Sequence, residues 1–125
     1  MATNKPLVSA IVVSYNVRDL LLDSLRAFYA SSDVPVEAIV VDNASSDGSA
    51  DAVAATFRQA KVIRLAVNVG FGKANNAGLQ QAEGRFVLLL NPDVTVQPGA
   101  VGRLTDFLLV RRADLLTETE PASGH

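Results

Sequence analysis

Residues 87–94, VLLLNPDV, end a run of four aliphatic side chains in an amide, a strand breaker and a carboxylate. An apolar run of this kind reads as a strand buried on both faces. Asn91, Pro92 and Asp93 therefore place oxygen-rich groups at the end of a core element. A carboxylate so placed suits a hard divalent cation, which takes oxygen ligands and can bridge the oxygens of a diphosphate. Two other apolar runs end the same way, in Ser14-Tyr15-Asn16 and in Asp42-Asn43.

The elements that must carry these groups follow from spacing. Residues 8–13 read as a first buried strand, after which Asn16 can cap a helix with Asp19 near its positive end and Leu21, Leu25, Phe28 and Tyr29 at helical spacing. EAIVVDN is a second strand running into the turn formers ASSDGS and a helix over 52–57. Residues 62–65 give a third strand. NVGFG and a helix containing KANNAGLQQA follow, with Gly84 as its left-handed cap. Residues 86–90 are the fourth strand, and Pro98 opens a helix with Val101, Leu104, Phe107 and Leu108 as its apolar stripe. The alternation implies an α/β, Rossmann-like parallel sheet of about four strands with helices on both faces. Ligands of such sheets bind beyond the carboxyl ends of the strands, where the strand order reverses. If the fourth strand lies beside the first, the three polar turns share one crevice.

The whole chain narrows the alternatives. Its 125 residues, 49% hydrophobic and 19% charged, suit one globular domain. A net charge of -2 with scattered basic residues argues against a nucleic-acid partner. The absence of cysteine excludes disulfides and thiolate chemistry, and a reducing cytoplasm is the simpler setting. No signal-peptide pattern is evident, and no apolar run reaches the ~18 residues of a membrane span. Residues 111–125 lose periodicity and are expected to form a flexible tail, with Glu118 and Glu120 solvated; His125, the single histidine, is terminal and no candidate base.

Two phosphate cradles fail on inspection. GFGKAN has Asn75 where a dinucleotide fingerprint needs its last glycine, and Gly72-Lys73 is preceded by Val67 at the Walker distance. AIVVSYN, IVVDNASSDGS, NVGFGKANNAG and LLLNPDV, in that order, instead closely resemble the N-terminal, donor-binding half of family 2 glycosyltransferases of the GT-A fold, especially rhamnosyltransferase-like members. The resemblance covers about residues 7–110, the nucleotide-sugar-binding part of such a domain. It implies that Ser14 and Tyr15 line the base and ribose pocket, that Asp42 hydrogen-bonds a pyrimidine, and that residues 68–73, with Lys73, close over the nucleotide. Asn91 and Asp93 match the family's Asp-any-Asp motif, with an amide in place of the first acid. Asp93 then binds Mg2+ or Mn2+ and the donor's ribose or diphosphate.

The implied reaction is inverting transfer of a sugar from a dTDP- or UDP-sugar to a saccharide or lipid-linked acceptor, in the cytoplasm or peripherally at its membrane. The family's base and acceptor site belong to a second half that this sequence does not contain, so the catalytic base is unassigned. The alternative is a nucleotide-binding fragment without turnover. Self-association through an uncovered sheet edge is also expected. Local roles compete with these: Asp42 can cap a turn, Tyr15 can pack between the sheet and the first helix, Lys73 can be solvated, and Asn75 and Asn76 can cap a helix.

Overall fold

A computed structural model describes residues 5–93 and 96–103. In chain order the elements are β1 (Val8–Ser14), α1 (Arg18–Ser31), β2 (Val36–Asp42), α2 (Ser49–Thr56), β3 (Lys61–Arg64), α3 (Phe71–Leu79) and β4 (Phe86–Leu89). The four strands form one sheet in the order β3-β2-β1-β4, every pair parallel. Ser14 is level with Asp42, and Ile11 with Leu89.

Side-chain alternation along β1 and β2 builds two cores. Val8, Ala10, Val12, Ala38 and Val40 pack with Leu21, Leu25 and Phe28 of α1 and Val53 of α2. Ile11, Ile39 and Val41 turn to the other face and meet Ala74 of α3. Strands covered on both faces need unbroken apolar sequence, which AIVV and AIVV of β1 and β2 supply.

β4 departs from the expectation of burial on both faces. Val87 and Leu89 are 41% and 54% exposed. β4 is the edge strand, and among the described residues α3 lies over β1 and β2 rather than over it. A helix about 10 Å across covers roughly two strands spaced ~4.8 Å apart. The apolar run was a valid strand signal; its neighbours decided how much of it was covered.

Two helix ends also differ. Asn16 does not cap α1: Val17 holds the N-cap position with no side-chain bond, while Asn16 adopts φ 55° in the preceding loop. α3 stops at Leu79 with Gln80 in right-handed geometry, and Gly84 is not among the positive-φ glycines. Gly84 serves a close approach instead: a Cβ there would lie 2.6 Å from the Ser9 nitrogen and hydroxyl. Leu104, Phe107 and Leu108 of the helix expected after Pro98, and the expected tail over 111–125, lie outside the described residues.

That approach belongs to a polar knot at the amino end of the sheet. Ser9 Oγ donates to Glu37 Oε2 at 2.5 Å and accepts from the Gly84 amide at 2.7 Å. Glu37 Oε2 also accepts from the Glu83 amide at 2.8 Å, and Lys61 Nζ lies 3.1 Å from Glu37 Oε1. Burial opposes the Glu37 charge, but the bonds from Ser9, Glu83 and Lys61 outweigh it and hold the carboxyl below its ordinary value of 4.5. A carboxyl lowered in the folded state stabilises the fold above its unfolded pKa, and that contribution is lost as pH falls through the folded value. Glu37→Ala is expected to lower the unfolding free energy by about 2 kcal/mol at pH 7. Urea denaturation should show the deficit shrinking as the solution is acidified below the ordinary glutamate value; an equal deficit in acid would assign the effect to packing.

Candidate functional site

β1 and β2 end side by side at Ser14 and Asp42, which are 0% and 6% exposed. The Asn43 amide donates to the Ser14 carbonyl at 2.8 Å, continuing the pairing one residue past the strands. Asp42 Oδ2 accepts from the Ser45 amide at 3.3 Å, so the turn-capping role is filled by one carboxylate oxygen. Asp42 Oδ1 and Ser14 Oγ have no partner in the protein. Buried polar atoms left unpaired cost about 1–3 kcal/mol each, so this neighbouring pair is a place where an N–H or O–H donor would be held strongly.

Tyr15 is 51% exposed and does not pack between the sheet and α1. Lys73 is exposed on the first turn of α3. Beyond β4, the Asp93 amide donates to Asn91 Oδ1 at 3.2 Å, so the Asn91 side chain shapes the turn that presents the exposed Asp93. The strand order brings the ends of β1, β2 and β4, with Ser14, Asp42 and Asn91, to one sheet edge. Asn91 also lines a recess of about 90 Å3 with Ile11, Val13, Phe71, Asn75, Leu89 and Leu90. Asn75 does not cap α3; it is buried, and its Nδ2 donates to the Phe71 carbonyl at 3.1 Å. A larger open groove of about 420 Å3, between Asn16, Arg18, Asp19 and Asp47, is lined by none of the six residues expected at the site.

The loops around the edge are tied to one another by bonds that the sequence reading did not anticipate. The Asn16 amide donates to Ser45 Oγ, and the Ser46 amide donates back to Asn16 Oδ1, both at 2.8 Å. The Arg18 amide donates to Asp47 Oδ2 at 3.0 Å. The Ser49 hydroxyl, and then the Arg18 and Ser49 amides, hold the Asp47 carboxyl below its ordinary value despite some burial cost. Asn43, 4% exposed, accepts from the Val69 amide at 2.9 Å and donates to the Gly70 carbonyl at 3.4 Å. The sequence signal for these was only that Asn, Ser and Asp form turns; partners 26 to 30 residues away leave no local trace.

Residues 9–117 match the family described as Glycosyl transferase family 2. The chain belongs to that family. Among curated relatives it is 36% identical over 110 residues to a succinoglycan biosynthesis protein, ExoO, of Rhizobium meliloti, covering 87% of this chain and 30% of that protein. It is 32% identical to a teichuronic acid biosynthesis glycosyltransferase, TuaG, described as putative, of Bacillus subtilis, covering 89% of this chain and 45% of the relative. The chain thus spans less than half the length of either.

Among solved structures, S. aureus TarS in complex with UDP-GlcNAc superposes with a TM-score of 0.72 at 32% identity, covering 81% of this chain and 30% of that one. A mannosyltransferase from Pyrobaculum calidifontis in complex with GDP-Man and Mn2+ gives a TM-score of 0.61 at 32% identity, covering 73% of this chain and 28% of that one. The parallel four-stranded sheet with helices on both faces matches these GT-A neighbours.

Among the described residues no three His, Cys, Asp or Glu side chains gather as a ready metal cage, and no helix is long and apolar enough to cross a membrane. Asp93 contributes a single carboxylate, a donor set that fits a cation whose other ligands are phosphate oxygens and water.

The Asn16 stitch gives a direct expectation. Asn tolerates the left-handed region better than alanine does, and its Oδ1 is the acceptor for Ser46. Asn16→Ala should destabilise the chain by about 1–2 kcal/mol. Amide exchange should accelerate at Ser46 while staying slow at Val12 in the sheet centre.

Proposed function

We propose that the chain is the donor-binding part of an inverting glycosyltransferase that takes a sugar from a pyrimidine nucleoside diphosphate. The observation that carries this is the buried, unpartnered pair Ser14 Oγ and Asp42 Oδ1 at adjoining strand ends. Asp42 Oδ1 is an acceptor suited to the single imide N–H of uracil or thymine, and the Ser14 hydroxyl can donate or accept beside it. Tyr15, half exposed at the end of β1, offers a face for base or ribose. Lys73 supplies a positive charge toward phosphate, and Asn91 and Asp93 stand at the end of β4 for ribose and diphosphate.

A divalent cation, Mg2+ or Mn2+, held by Asp93 would neutralise charge on the departing diphosphate. Asn91 would hold the turn in the shape that presents Asp93. The acceptor, saccharide or lipid-linked, and the carboxylate base that removes its proton are assigned to polypeptide of the kind the longer relatives contain. A dTDP-sugar over a UDP-sugar is the donor favoured by the rhamnosyltransferase-like motif set.

Calorimetric titration with UDP and dTDP, with and without Mn2+, tests the reading. Asp93→Ala is expected to abolish the Mn2+ enhancement, and Asp42→Ala to weaken binding roughly tenfold or more. Undiminished affinity in Asp42→Ala would overturn the base assignment.

Binding without turnover is a second reading, favoured by the lone carboxylate of the β4 turn, where Asn91 supplies an amide already engaged by Asp93. Release of sugar to water from the nucleotide sugar would exclude it.

Self-association belongs to the same proposal, because among the described residues β4 is an edge strand with Val87 and Leu89 half exposed. Sedimentation velocity is expected to show concentration-dependent association that Leu89→Lys removes.

A further inference from the structure

We infer that Asn43 is a positioning residue that fixes the connection between β3 and α3 over the bound nucleotide; the inference rests on the donor-site reading above. Asp42 and Asn43 are consecutive at the end of β2, so their side chains leave opposite faces of the sheet. Asp42 turns toward Ser45, and Asn43 turns toward residues 69 and 70. Both ends of the Asn43 amide are used on consecutive residues: Oδ1 accepts from the Val69 amide at 2.9 Å and Nδ2 donates to the Gly70 carbonyl at 3.4 Å. Its own amide is bonded to the Ser14 carbonyl. One residue therefore links the end of β1, the end of β2 and the start of α3.

The connection has little else to hold it. Leu65 and Val69 are only partly buried against the Ile11, Ile39, Val41 and Ala74 core, and Val67 and Phe71 are 63% and 67% exposed, so apolar burial anchors it weakly. α3 has no side-chain N-cap, and the Asn68 side chain bonds only within the loop, to the Gly70 amide. Gly70 sits at φ 87° and ψ 167°, a backbone state open essentially to glycine, and its carbonyl also accepts the Ala74 amide in the first turn of α3. A glycine in that state gives no stiffness of its own. The tether supplied by Asn43 sets where α3 begins, and hence where Lys73 stands relative to Asp42.

Substitution should then change ligand affinity without changing the sheet. Asn43→Asp keeps the acceptor for Val69 and loses the donor to Gly70, whereas Asn43→Ala loses both. The test measures two quantities on the 125-residue chain: amide exchange at Val69, with Val12 as a sheet control, and calorimetric affinity for UDP and dTDP in the presence of Mn2+. In Asn43→Ala, exchange at Val69 is expected to rise about tenfold and nucleotide affinity to fall about tenfold, with Val12 unchanged and Asn43→Asp intermediate in both. A general structural role would instead accelerate Val12 as well, and that result would overturn the inference.

If the unsubstituted chain binds nucleotide and Asn43→Ala binds it equally well, Asn43 does not position the site and the donor-site reading stands. If the unsubstituted chain binds neither diphosphate, the donor-site reading fails and the inference about nucleotide positioning fails with it. Should Asn43→Ala not fold, Asn43→Asp decides: unchanged Val69 exchange and affinity overturn the inference, and partial loss of both supports it.

Discussion

Everything at the candidate site depends on the reversal of strand order at β1. From β1 the chain steps outward through β2 to β3, then returns across the sheet to place β4 on the other side of β1. With all strands parallel, the carboxyl ends of β1, β2 and β4 share one edge of the sheet. That edge is bordered by the groups that the core cannot accommodate. Ser14, Asp42 and Asn91 are far apart in sequence, yet each closes an apolar strand; pairing of β1 with β2 sets Ser14 beside Asp42, and the reversal brings the end of β4 to the same edge.

The two ends of the sheet are held differently. At the amino end the Glu37 carboxylate gathers Ser9, the Glu83 amide and Lys61 into a knot that locks the entry to β4 against β1 and β2. At the carboxyl end the ties are mostly amide and hydroxyl bonds, Asn16 to Ser45 and Ser46 and Asn43 to Val69 and Gly70. Neutral ties of this kind contribute about 1 kcal/mol each. They shape a rim without occupying the charge that an anionic ligand would meet. The exposed Val67, Phe71 and Tyr15 around that rim add no packing strength to it. The charged knot thus lies where β4 is registered, and mostly neutral ties lie around the candidate site.

Much of this was legible because the governing signals are local. The apolar strands and the turn formers behind them gave the α/β alternation, and the polar strand ends gave the candidate site residues. The failures share one cause. Asn16 carries the residue type of a helix cap, but its amide and side chain are taken by Ser45 and Ser46. Gly84 looks like a left-handed helix terminus, but what it must accommodate is Ser9, 75 residues earlier. Val87 and Leu89 look like core and are half exposed because β4 has a neighbour on one side only among the described residues. In each case a local preference was real and a long-range partner set the outcome.

The sequence by itself determined the order of strands and helices, the membership in a glycosyltransferase family, and the identity of the polar groups at the strand ends, because periodicity, turn chemistry and ordered motifs are written along the chain. Only the tertiary structure decided that Ser14 Oγ and Asp42 Oδ1 are left unpaired at adjoining strand ends, that Asn43 reaches across to the start of α3, and that Val87 and Leu89 of β4 are half exposed. Those facts depend on which groups find partners 26 to 75 residues away. A hydrogen bond or a covered face is a property of two segments at once, and no single stretch of sequence contains both.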